Sequence, residues 1–248
     1  MNKKGRLFLV GIGPGNLSEM TRRAENIIQV ADTVIGYSTY IKLIEPLLAG
    51  KKVIASGMTR EKQRCLQAID EATVGKTVAL ISSGDSGIYG MAGLLLELIS
   101  KDPRAGTITV ELVPGVPAFV AAAAVLGAPL MNDFAAVSLS DLLTPWKVIQ
   151  RRLYAAAEGD FVTCLYNPKS IKRTEPFKMA VEIFRKFRDG KTPCAIVRSA
   201  SRPAQSVTLT SLERLGDAVV DMRCLIIIGN SQTARHGNWL ITSRGYAL

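Results

Sequence analysis

One histidine, four cysteines and no long uncharged apolar run set the first limits on this 248-residue chain. Cys65, Cys164, Cys194 and Cys224 lie far apart and form no CxxC pair. That spacing suits neither a thiolate metal site nor a disulfide framework; it reads as buried free thiols in a reducing cytoplasm. No metal is expected. His236 has no second imidazole to work with, and neither HExxH nor a GxSxG elbow occurs, so it reads as a surface loop residue rather than a zinc or triad ligand. GxxxxGK[ST] is also missing, which disfavours phosphoryl transfer on a P-loop. The longest uncharged apolar stretch, Val116 to Met131, is shorter than the roughly 20 residues that span a bilayer and contains Pro117 and Pro129. It reads as a buried helix, with no membrane partner. The N-terminal run Leu7 to Val10 is too short for a signal-peptide core.

What is present is ordinary globular material: 48% hydrophobic and 21% charged residues. The length allows one large domain or two of half that size. Lys and Arg outnumber Asp and Glu by 31 to 21, a formal net charge of +10. Such an excess attracts a polyanion, whether nucleic acid, anionic membrane or polycarboxylate. The basic residues form no block of like charge, so a folded basic face or cleft fits better than a disordered nucleic-acid arm.

Strand-like runs recur at 7–12, 77–82, 107–113, 161–166, 194–197 and 223–228, with helical spacing between most of them. This alternation predicts an α/β architecture. One helix is expected from Met20 to Ala31, with Ala24, Ile27 and Ile28 on one stripe. Another starts at Thr144 as N-cap, turning Trp146, Ile149 and Leu153 inward and Lys147, Arg151 and Arg152 outward. A third begins near Thr174 and Pro176 and buries Phe177, Ala180, Val181, Phe184 and Phe187. Gly127 and Pro129 mark a crossing between α/β units, so two domains are expected, 1–120 and 121–248.

Three glycine-containing turns each follow a strand. In Val10-Gly11-Ile12-Gly13-Pro14-Gly15 a dinucleotide fingerprint would need its third glycine where Asn16 stands, and Pro14 removes an amide; a tight turn and a ligand loop both remain open. In Ser82-Ser83-Gly84-Asp85-Ser86-Gly87-Ile88-Tyr89-Gly90, Asp85 either caps the next helix or serves a ligand. The third turn is Val113-Pro114-Gly115-Val116-Pro117-Ala118-Phe119. A cleft lined by main-chain groups suits a neutral adenosine better than a triphosphate.

These segments, with Leu165-Tyr166-Asn167-Pro168-Lys169-Ser170, resemble the successive motifs of the tetrapyrrole (corrin and porphyrin) methylase family from Arg6 to the C-terminus. Residues 36–40, 81–93 and 139–146 are similar to members that methylate carbon 17 of precorrin-3B or cobalt-factor III and contract the ring by extruding carbon 20. The resemblance implies the class III methyltransferase fold: two α/β domains with a cleft between them, in a homodimer. S-adenosyl-L-methionine would lie in the cleft, with S-adenosyl-L-homocysteine as product. By position, Pro14, Gly84, Asp85, Ile88, Pro117, Ala118, Asn167, Ala200 and Gly229 would hold it. Many relatives read GDP at residues 84–86, a hydroxyl residue at 117 and methionine at 167, so backbone contacts are expected at these positions.

A polycarboxylated tetrapyrrole would account for the net charge, with some of Arg60, Arg64, Lys147, Arg151, Arg198 and Arg235 gripping its carboxylates. Methyl transfer needs positioning rather than a covalent intermediate. Ring contraction needs a proton acceptor or donor, for which the candidates are Asp141 first, then Asp85, Tyr89, Ser138 and Ser140. The rivals are a sibling acting on another corrin carbon, an RNA methyltransferase or RNA-binding module, and an NAD-dependent oxidoreductase. No aromatic-rich basic strand supports an RNA partner.

Overall fold

The structure is a computed structural model that describes residues 4–170 and 173–246. The chain divides into two compact units, Met1–Ala118 and Phe119–Leu248.

The first unit runs β1 (Gly5–Gly11), α1 (Arg22–Val30), β2 (Thr33–Tyr37), α2 (Ser38–Leu43), β3 (Lys52–Ser56), α3 (Glu61–Thr73), β4 (Thr77–Ser82), α4 (Ala92–Ile99) and β5 (Ile108–Val113). Its five strands form a sheet in the order β3-β2-β4-β1-β5, every neighbouring pair parallel. Parallel strands carry helices on both faces, so the central ones are apolar throughout: all of β4 is buried. α1 and α2 cover the face of Phe8, Val10, Ala79 and Ile81 through Ala24, Ile28 and Ile41. α3 and α4 cover the face of Leu7, Leu9, Val78 and Leu80 through Cys65, Ala68, Ile69 and Leu95. The chain therefore leaves β1 toward one face and the adjacent β4 toward the other. This divergence is a topological switch point, and it opens a crevice at the carboxyl ends of those two strands.

The second unit runs α5 (Ala118–Leu126), β6 (Gly127–Ala128), β7 (Phe134–Ser138), α6 (Trp146–Glu158), β8 (Val162–Tyr166), α7 (Glu175–Arg185), β9 (Pro193–Arg198), β10 (Ser206–Ser211), α8 (Leu212–Leu215), β11 (Cys224–Ile228), β12 (Thr233–His236) and β13 (Trp239–Thr242). Its main sheet has the order β10-β9-β11-β8-β7. β7 and β8 are parallel, while β11 runs antiparallel to both β8 and β9. α6, α7 and α8 pack on one face through Ile149, Leu153, Phe177, Phe184 and Leu215. The other face meets Ala122 and Leu126 of α5 and Leu240 of β13. β13 itself belongs to a small sheet in the order β12-β13-β6.

Several boundaries differ from the sequence reading. The α6 N-cap is Pro145, not Thr144. The apolar run after Val116 gives a helix of only nine residues, because Gly127 adopts φ +107° and enters β6. Phe187 lies beyond α7, 44% exposed, with its ring edge-on to Tyr154. His236 ends strand β12 and pairs with Trp239 across a hairpin, although it is exposed as expected of a surface residue.

Candidate functional site

In the first unit β4, β1 and β5 lie side by side, so the three glycine turns leave one edge of the sheet together. They touch through main chain. Gly13 and Gly84 exchange both backbone hydrogen bonds, at 3.2 and 2.7 Å. A Cβ on Gly115 would stand 2.2 Å from the Gly84 carbonyl oxygen, and one on Gly11 would stand 2.8 Å from the Gly115 nitrogen. No side chain fits between these turns. Gly84 also sits at φ +62°, where a Cβ is strained although its nearest neighbours are 3.7 Å away.

Asp85 is held inside this cluster. One carboxylate oxygen accepts from the Gly87 amide at 2.8 Å, the other from the Gly115 amide at 3.1 Å. It does not cap α4, whose N-cap is Met91. Asn16, which stands where a dinucleotide fingerprint needs glycine, caps a short 3-10 turn by accepting from Ser18. Pro14 is buried, Ile88, Pro117 and Ala118 are half-buried, and Tyr89 is exposed with φ +53°.

Across residues 11–16, 82–91 and 113–119 the one charged side chain is Asp85. A polyphosphate would meet no cation there. A sulfonium amino acid joined to a neutral nucleoside would meet main-chain groups and a single carboxylate, so the residues present fit S-adenosylmethionine by charge.

The second unit gathers a different set at the carboxyl ends of β7 and β8. Ser138 ends β7, and its hydroxyl accepts from the Asn167 side-chain amide at 3.0 Å and from the Ser140 backbone amide at 3.3 Å. Asn167, just past β8, adopts φ +53°. Arg173 joins the two loops: its guanidinium donates to the carbonyls of Leu139 and, at 2.9 Å, Asn167. Its Nε lies 3.7 Å from the Asp141 carboxylate. Sequence reasoning missed Arg173, because its partners are carbonyl groups that any residue carries. Its place six residues after Asn167 was the available signal.

Ala200 turns at this same edge, between Ser199 and Ser201 at φ +51° and +61°. The Ser199 amide donates to the Arg223 carbonyl at 2.9 Å. Gly229 does not join them. It follows β11, which is reversed, so it lies at the opposite edge of the sheet, about 17 Å of strand away. There it is buried; its amide donates to the Pro193 carbonyl at 2.9 Å and its own carbonyl accepts from Arg188.

The basic residues divide as well. Arg64 is 3% exposed and turned inward, its guanidinium bound to Ser56, the Gly57 carbonyl and Glu61, so it cannot grip an external carboxylate. Arg198 and Arg223 flank Asp221 at 3.0 and 3.2 Å. Lys147 and Arg151 are exposed on α6. A cavity of about 530 Å³ in the second unit is lined by Lys169, Ser170, Thr174, Met222 and Arg223 among others. Burial pushes the Cys164 and Cys194 thiols up to about 12, so neither is a nucleophile at neutral pH. Among the described residues no group of three or more His, Cys, Asp or Glu could hold a metal, and no helix is long and apolar enough to cross a membrane.

A doubly covered parallel sheet with a glycine-lined crevice at its switch point, joined in sequence to a mixed five-stranded sheet, is the architecture of the tetrapyrrole methylase class. The sequence profile of the tetrapyrrole (corrin/porphyrin) methylases matches residues 6–216, and the chain belongs to that family. It is 48% identical over 242 residues to a Salmonella typhimurium protein named "Probable cobalt-factor III C(17)-methyltransferase", covering 98% of this chain and all of that one. The crystal structure of the methyltransferase CobJ superposes with a TM-score of 0.90 at 33% identity, covering 96% of this chain and all of that one. A Thermus thermophilus uroporphyrin-III C-methyltransferase complexed with S-adenosylhomocysteine shares the fold, with a TM-score of 0.68 at 22% identity over 91% of this chain and 92% of that one.

Proposed function

We propose that this protein transfers a methyl group from S-adenosylmethionine to carbon 17 of cobalt-factor III, or of metal-free precorrin-3B, and contracts the ring to the corresponding precorrin-4 in cobalamin biosynthesis. One observation carries the reading: three strand-end turns packed main chain to main chain around Asp85, with no cation among their own residues, in a chain 48% identical over 242 residues to a relative named for C17 methylation. That name favours the cobalt-bearing substrate.

S-adenosylmethionine, when bound, supplies an electrophilic methyl whose C–S electron pair departs to sulfur. The chain's own work is to hold and orient. Pro14, Gly84, Asp85, Ile88, Pro117 and Ala118 serve the donor; Asn167 and Ala200 are assigned to it by the family resemblance alone. Gly229, at the far edge, is left out of this assignment. Holding the nucleophilic carbon in line with the methyl can remove roughly 7 to 11 kcal/mol of barrier. Lys169 and Arg223, with Lys147 and Arg151, offer cations for the substrate's carboxylates. Asp141 is the favoured proton acceptor for the contraction step, with Ser140, Tyr89 and Asp85 as alternatives. A cytoplasmic homodimer with no nucleic-acid or membrane partner completes the reading.

The test is to incubate the protein with methyl-labelled S-adenosylmethionine and either cobalt-factor III or precorrin-3B, and to locate the label by NMR. Label on carbon 17 of a contracted ring is expected. Label on another carbon would transfer the assignment to a sibling activity, and a calorimetric titration showing no affinity for S-adenosylhomocysteine would end the reading.

A further inference from the structure

We infer that Arg173 is a positioning residue, which fixes the Asp141 carboxylate and the two loops around it as one rigid rim. The inference rests on the proposed role of Asp141 as proton acceptor.

The guanidinium is a planar fork with five donors, so it can hold several acceptors at set angles. In Arg173 the nitrogens are divided among three loops, with Nη2 also donating to the Met222 Sδ before β11 at 3.7 Å. Nη1 donates to the Leu139 carbonyl in the loop after β7, and Nη2 to the Asn167 carbonyl in the loop after β8, at 2.9 Å. Nε faces Oδ1 of Asp141 at 3.7 Å. Ser170 and Arg173 exchange backbone hydrogen bonds at 2.9 and 3.2 Å, so the Arg173 main chain is anchored too. A second tie between the same loops runs from Asn167 to the Ser138 hydroxyl.

Burial separates the two roles. The Arg173 side chain is 12% exposed, whereas that of Asp141 is 39% exposed. The cation is part of the scaffold, and the carboxylate it faces is open to a substrate. A 3.7 Å separation exceeds a hydrogen bond, so the pairing orients Asp141 electrostatically and leaves its oxygens free of a hydrogen bond from Arg173. Lysine could replace the charge but not the fork, since one ammonium cannot reach two carbonyls and the carboxylate in a single plane.

The experiment compares wild type, Arg173→Lys, Arg173→Ala, Asp141→Asn and the Arg173→Ala/Asp141→Asn double variant. S-adenosylhomocysteine affinity is read by calorimetry, and kcat and KM by turnover of cobalt-factor III. Arg173→Ala should lower kcat by about 100-fold, the cost of misplacing a catalytic group by about 1 Å, while the affinity falls by less than about tenfold, because Asn167 keeps its tie to the Ser138 hydroxyl. Added guanidinium ion should restore part of that rate. Arg173→Lys should fold, bind as the wild type does and lose about tenfold in kcat. The double variant should be no slower than the slower single one, because both changes remove the same function. Losses that multiply, a normal rate in Arg173→Ala, or a loss confined to KM would overturn the inference while leaving the proposed function intact. An inactive wild type would sink both.

Discussion

The carboxylate of Asp85 bridges two backbone amides, Gly87 two residues on and Gly115 thirty residues on, and so joins the turn after β4 to the turn after β5. Replacing it with alanine strands both amides in a partly buried site. Asp85→Ala should destabilise the protein by about 1–3 kcal/mol and weaken S-adenosylhomocysteine binding at least tenfold. Asp85→Asn keeps one acceptor oxygen and should lose less on both counts. Urea unfolding and calorimetry measure the two effects.

Gly115 and Gly84 are glycines for different reasons, and alanine should separate them. A Cβ at Gly115 meets the Gly84 oxygen at 2.2 Å and Gly11 at 2.6 Å, so the turns must part; the cost should be about 3 kcal/mol or more. At Gly84 a Cβ has its nearest neighbours at 3.7 Å and carries only left-handed strain, about 1–2 kcal/mol. Thermal unfolding of the two variants should rank them in that order. Equal losses would contradict the packing argument.

Glu71 gives the first unit an acid-sensitive joint. It accepts from Lys52 at 2.6 Å, Lys76 at 2.7 Å and Thr33 at 3.1 Å, tying α3 to β2, β3 and the start of β4. Those hydrogen bonds, Lys52 first and then Lys76, hold its pKa at about 2 rather than the ordinary 4.5. A lowered folded-state pKa contributes stability that is full above the ordinary value and is lost as pH falls through the folded one. The melting-temperature gap between wild type and Glu71→Gln should therefore be constant from pH 7 to about 5 and should close between about pH 4.5 and 2.

All four cysteines are buried, with Cys65 pushed up to about 11 by burial and Cys164 and Cys194 to about 12. Thiolate is the reactive form, so a disulfide reagent at pH 8 should label none of them within minutes in the native protein and all of them in urea. Rapid labelling of any one thiol without denaturant would mean that its surroundings open locally.

Five of the six strands that local sequence announced lie inside a sheet and are covered on both faces, while the sixth, β5, is an edge strand with three exposed residues of six. All of β4 and β11 is buried, and an unbroken apolar run is the signature of that setting. β2 and β3 escaped notice: β2 contains Gly36, where a Cβ would stand 2.9 Å from the Ile41 side chain, and β3 is an edge strand with three exposed residues of five. The glycine turns of the first unit were legible because close main-chain packing forces a residue type. Arg173 was not, since carbonyl partners leave no mark on the residues that supply them. Nor was the edge at which Gly229 lies. Strand direction depends on long-range pairing, and nothing within residues 224–229 records it.

That reversed strand subjects its two ends to separate constraints. Where β11 begins, the chain passes Asp221, Met222 and Arg223 at the edge that also holds Asn167, and changes of length between Leu215 and Cys224 would redraw that edge while sparing the sheet. Where it ends, Arg188 grips the carbonyls of Gly229, Ala156 and Phe161 together, so an insertion there would prise open buried backbone. Variation among relatives that keep this fold should therefore collect before β11 and thin out after it.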